Sequence, residues 1–160
     1  MKKIVLFLFI VLTFLTACRN DPVRDDLLNY LNDMNPYFKE WKRLSEAQLN
    51  ATGDKHLNIE DKHRAMDEAE VVPGFKKYSE KINKIRPKTK EVRELHELHI
   101  RAVDLQYKFM NLLFLSLDDQ DNKLLTEATE KLIEAQKYIE DYEIKLYDMA
   151  EDHGIKIERK

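Results

Sequence analysis

Cysteine occurs once in this chain of 160 residues and glycine only three times. A single thiol excludes an intrachain disulfide, so a domain of this chain outside the cell must be held together by packing alone. Gly53, Gly74 and Gly154 are too few for a phosphate-cradling loop of the P-loop or dinucleotide type, both of which need several glycines. Valine is sparse beyond residue 18, whereas Glu, Lys, Leu and Ala dominate, a helix-forming composition. Positive charge is also short. The formal net charge is −3, and without Lys2 and Lys3 it becomes −5. That balance argues against a nucleic-acid partner and gives no pull toward anionic lipid or wall polymers.

What the chain does contain begins at its N-terminus. Met1-Lys2-Lys3 is a positive start, and from Ile4 to Leu15 only Thr13 is polar. Such a run is too short to cross about 30 Å of hydrocarbon as a helix, but it suits a secretory leader. Leu15-Thr16-Ala17-Cys18 closes it, with small residues just before the only cysteine. This tetrapeptide resembles the lipobox of bacterial lipoproteins, a resemblance confined to residues 1–18. It implies a cleaved signal peptide: Leu15, Thr16 and Ala17 are read by signal peptidase II, and acyl chains such as palmitate are carried on Cys18. Two acyl chains are enough for stable anchoring. The implied location is the extracytoplasmic face of the cell membrane, in a Gram-positive bacterium.

The expected organisation is a leader at 1–17, a lipidated cysteine with a short tether at 18–21, a helical domain at 22–154 and a frayed tail at 155–160. Asp21 reads as an N-cap with Pro22 at the first helical position. Apolar residues at steps of three and four predict helices over about 22–51, 58–86, 88–117 and 122–152. Four helices of matched length joined by short loops predict an all-α fold, an up-down-up-down four-helix bundle. Pro36 and Pro73 fall near the middle of the first two helices and predict kinks, with a break into two helices at Pro73-Gly74 as the alternative. Both prolines would stand at one height, forming a waist opposite Ala102 and Ala135. The run Leu112 to Leu117, apolar nearly all round, predicts the most buried part of the molecule.

Few constellations point to chemistry. His96 and His99 lie three apart on one helix face and could share a metal. A di-iron bundle needs two Glu-x-x-His pairs, however, and only Glu60-x-x-His63 is present. The expectation is therefore a solvated His96, a partly packed His99 and no metal. Asp119, Asp121 and Glu130 imitate positions 1, 3 and 12 of a calcium loop, but Lys123 and Leu124 stand where an oxygen ligand and a glycine belong. Tyr37, Phe38, Trp41, Tyr138 and Tyr142 recur at helical spacing and read as core or core margin. No catalytic residue and no cofactor are indicated.

The mature region also resembles, in its Lys- and Glu-rich helices, small helical lipoproteins of Gram-positive bacteria with unknown or wall-associated roles. The reading is a membrane-anchored, non-enzymatic bundle that binds a protein or envelope partner. The alternative is a small-molecule or metal-binding bundle with a midplane site near His99, Ala102 and Tyr138.

Overall fold

The computed structural model describes residues 20–53, 56, 58–118 and 121–157. Among these there is no strand, and five helices follow one another: α1 (Pro22–Gly53), α2 (Ile59–Glu68), α3 (Val71–Ile82), α4 (Lys90–Asp118) and α5 (Asn122–Asp152). The fold is all-α, and the expectation of four helices is corrected to five.

The extra break has a local cause. A helix running on through Pro73 would set its ring against the carbonyl of Ala69 and lose that hydrogen bond. The chain instead leaves helix one turn earlier, at Ala69, and turns through Glu70, which among the described residues is the one non-glycine with positive φ, 49°. Pro73 then falls in the first turn of α3, where a missing N–H costs nothing. Pro36, by contrast, lies inside the unbroken α1.

Capping fixes the other ends. The Asp21 carboxylate accepts from Arg24 N–H at 3.0 Å, Asn58 from Asp61 N–H at 2.8 Å and Asp121 from Lys123 N–H at 2.7 Å. At the end of α5 Gly154 takes φ 64°, so that Ile155 N–H reaches the Ala150 carbonyl at 2.7 Å and Gly154 N–H the Glu151 carbonyl at 3.1 Å. Ile155 and Ile157 then fold back, half-buried against the core, where the sequence predicts a frayed tail.

Cross-helix pairs set the directions. Lys81 holds Glu40 at 2.8 Å and Gly74 meets Leu44, so α1 and α3 run antiparallel. Ser79 with Asp104 at 2.8 Å and Ile82 with His96 at 3.1 Å set α3 antiparallel to α4; Lys145 with Glu94 and Tyr138 with Arg101 do the same for α4 and α5. α4 is the central element, with α1, α3 and α5 all packed on it. Its buried residues Val92, Leu95, Ala102, Val103 and Met110 therefore cover a broad sector rather than a narrow stripe.

Two further expectations are corrected. Leu44 lies a little over two helical turns beyond Pro36, so Pro73, beside Gly74, stands well above it and no shared waist forms. At the end of α4, Leu112, Leu113 and Phe114 are only half-buried and Leu115 is 50% exposed. The deepest core instead surrounds Leu27, Met34, Phe75, Tyr78, Ile82 and Leu95, where three helices converge on α4.

At Gly74 α3 packs tightly on α1. A Cβ there would lie 2.4 Å from Leu44 Cδ2, and Leu44 is fully buried. Replacing Gly74 by Ala is expected to destabilise the protein by about 1–3 kcal/mol through overpacking, despite alanine's better helix propensity. Urea denaturation checks this, and an unchanged midpoint would refute the close packing.

Candidate functional site

The centre of the molecule holds a layer of tyrosine and histidine rings. His99 is almost wholly buried, and its Nε2 lies 2.8 Å from the hydroxyl of Tyr78. Its ring packs 5.0 Å from that of Tyr142, 5.9 Å from Trp41 and 6.0 Å from Phe38. One turn away His96 is buried as well, with Nε2 3.1 Å from the Ile82 carbonyl and Nδ1 3.4 Å from the Tyr30 hydroxyl. A carbonyl only accepts, so the neutral ring of His96 donates from Nε2 and its Nδ1 accepts from Tyr30. The Tyr30 and Tyr142 hydroxyls lie 3.5 Å apart and close the layer.

Each bond does structural work. Ile82 ends α3, and its carbonyl accepts from Ile85 N–H at 3.0 Å and from His96. α3, α4, α1 and α5 are thereby linked through five polar tips on otherwise apolar rings. Burial sets the protonation states. It pushes His99 down to about 3, helped by the neighbouring His96. Burial, assisted by the charge of Arg86, also lowers His96, against the opposing influence of the Ile82 carbonyl and Glu97. Tyr142 is pushed up to about 12 by burial, and Tyr30 and Tyr78 rise for the same reason. Near neutral pH every ring in the layer is uncharged.

The solvated His96 and partly packed His99 expected from the sequence are therefore both corrected to buried residues. The signal was present. Val92, His96, His99, Val103, Gln106 and Met110 follow one another at steps of four and three, so the two histidines continue an apolar row. Gln106, buried further along that row, reaches Gln48 of α1 at 2.6 Å. Tyr138 sits at the margin, its ring 5.8 Å from the Arg101 guanidinium, while Ala102 and His99 face the core. His63 packs its ring 4.4 Å from Phe114. Among the described residues no three His, Cys, Asp or Glu side chains converge as metal ligands. Asp119, the start of the imitation calcium loop, lies outside the described residues, and Asp121 serves as the N-cap of α5.

A second constellation, unforeseen from the sequence, joins α1 to the start of α4. Asp26 is buried, and its Oδ2 accepts from Lys88 N–H at 2.8 Å, Thr89 N–H at 2.7 Å and the Thr89 hydroxyl at 2.8 Å. Burial alone would raise this carboxyl. The three donors and the charge of Lys88 outweigh it and hold Asp26 below the usual carboxylate range. A groove of about 300 Å³ opens beside it, between Asn29 and Asp33 of α1 and the loop residues Ile85 to Lys88. Nearby, His153 Nδ1 lies 2.8 Å from Asp21, pinning the end of α5 to the start of α1.

Leu15, Thr16, Ala17 and Cys18 lie outside the described residues. Their reading as a lipoprotein leader rests on sequence, and there the comparison with known families bears directly. An all-helical domain behind such a leader defines a bacterial lipoprotein. The chain belongs to the family described as EMYY-motif containing lipoprotein, whose model matches residues 1–155. That match takes in residues 1–18 and all five helices. No curated protein and no solved structure matches the chain.

Proposed function

We propose that this protein is a membrane-anchored extracytoplasmic lipoprotein without catalytic activity, whose helices form one domain, residues 22–154, that binds a protein or cell-envelope partner. In this reading Cys18 carries the lipid, Leu15, Thr16 and Ala17 direct cleavage of the leader, and the host is Gram-positive. α2 and α3 together serve as the second leg of an up-down-up-down bundle.

The family match, which begins at residue 1 and so includes the leader, carries the anchoring half of this proposal. Replacing Cys18 by Ser in the full chain is expected to abolish palmitate labelling and membrane retention. Label on that variant, or its continued partition into detergent, would overturn the assignment of Cys18.

The binding half is supported by apolar surface at the end remote from the tether. Leu49 is 68% exposed near the end of α1, and Leu115 and Leu125, 50% and 42% exposed, flank the turn from α4 to α5. Gathered into one patch, such side chains would form a contact surface. A photo-crosslinking residue at Leu115 or Leu125 is expected to capture one envelope component. Replacing both leucines by Ser should abolish capture while changing stability by no more than about 0.5 kcal/mol. Capture that survives the double substitution would move the contact elsewhere. The midplane-site reading ranks second, because His99 is already bonded to Tyr78 and Tyr138 is engaged by Arg101.

A further inference from the structure

We propose that the loop joining α3 to α4 is a membrane-contact surface, which seats anionic phospholipid headgroups on Lys84, Lys88 and Lys90 and fixes the tilt of the protein on the bilayer. The proposal rests on the membrane-anchored reading of Cys18 and adds to it a second, electrostatic contact.

Position is the first argument. Asn20, two residues beyond Cys18, is within about 7 Å of it even at full extension. Six residues further on, Asp26 grips the backbone of Lys88 and Thr89. The α3–α4 loop is therefore at the end of the molecule that the tether holds to the membrane.

Charge is the second. Lys81, Lys84, Arg86, Lys88 and Lys90 fall within ten residues that contain no acid, in a chain whose net charge is negative. Lys81 is committed to Glu40, and Arg86 folds its guanidinium onto the Asn83 and Ile85 carbonyls. Lys84, Lys88 and Lys90 are exposed. Among the described residues no ion pair engages the amine of Lys84 or Lys88, and Lys90 has only a loose 3.6 Å contact with exposed Glu94. The acids at this end lie outside that run: Glu91 and Glu94 follow it in the first turns of α4, Asp25 and Asp33 stand on α1, and Asp148, Glu151 and Asp152 on the last turns of α5. Asp26 already occupies the free amides at the start of α4, so the lysine side chains and not the backbone carry the anion site. Net charge conceals this segregation, and polybasic clusters beside a membrane anchor are drawn to anionic lipid over about one screening length.

Amine footprinting tests it. The full lipidated protein is reconstituted in phosphatidylcholine vesicles with or without phosphatidylglycerol and acetylated briefly, and each lysine is read by mass spectrometry. Lys84, Lys88 and Lys90 are expected to react several-fold more slowly on the anionic vesicles, while Lys42, Lys123 and Lys137 keep their rates. Salt of about 1 M, where the screening length is near 3 Å, should erase the difference. Equal rates on both vesicles overturn the proposal, as does protection spread over all lysines. Equal protection by a soluble glycerol-phosphate polymer, without anionic vesicles, overturns the choice of lipid as the occupant. Flotation separates the underlying reading: protein lost from both vesicle types marks failure of the anchor, which removes this contact with it.

Discussion

Acidification from about pH 7 to about pH 5 is expected to remove roughly 2 kcal/mol of folding stability through His99 alone. The ring is neutral in the folded protein because burial pushes it down to about 3, whereas in the unfolded chain it returns to the ordinary value of 6.5. Below that value the unfolded state binds a proton that the folded state refuses, so stability falls as pH falls. The contribution is complete above about pH 6.5 and is lost progressively toward pH 3. His96 adds loss of the same sign. Asp26, whose folded value is also depressed, acts in the same direction, but only near and below the carboxylate range. The interval between pH 7 and 5 therefore isolates the histidines. Replacing His99 by Gln keeps a polar partner for Tyr78 and is expected to cost about 1 kcal/mol at neutral pH while removing a large part of the acid sensitivity. Urea denaturation of both proteins at the two pH values measures this. Equal losses in wild type and variant would show that His99 is not the group responsible.

The second large effect is expected at Asp26. Alanine there strands two backbone amides and a hydroxyl in a buried place and removes charge-assisted bonds that tie α1 to α4, a loss of about 3 kcal/mol. For a domain of this size that is a fall in Tm of roughly 6–12 °C. Asn keeps the shape and one acceptor oxygen, so about half the loss is expected. The exposed neighbour Asp25, replaced by Ala, is the control and should change little. Hydrogen exchange adds a local readout: the Lys88 and Thr89 amides should lose protection in the Asp26→Ala protein. If Asp26→Ala and Asp25→Ala melt together, the cap does not hold the helices as described.

Much of the helical layout was legible in the sequence because its signals are local. Asp21-Pro22, Asn58, Asp121 and Gly154 each cap a helix by bonds to residues at most four away, and the three-four apolar rows report the buried face of each helix. The split of the second helix was half legible. Pro73 announces a break, but the break falls a turn earlier, because the proline ring constrains the residue four before it. The Asp26 cap was not legible, since its partners lie more than 60 residues away and Asp26 sits among other acids at a helix start. His96 and His99 were misjudged for a similar reason: polar residues on an apolar row stay wet or go dry according to what packs over them.

By itself the sequence determined the class of protein, from an apolar N-terminal run closing on one cysteine, and the all-helical fold with most of its boundaries, since peptide geometry and end-capping act over a few residues. Tertiary structure alone decided that α4 is the central helix. That choice set which polar groups became buried, so the histidines lie inside and Leu115 and Leu125 outside. It also brought a basic loop beside the start of α1. The reason is physical: burial and the charge around a group depend on neighbours distant in the chain, and no local pattern records which helix will cover which face.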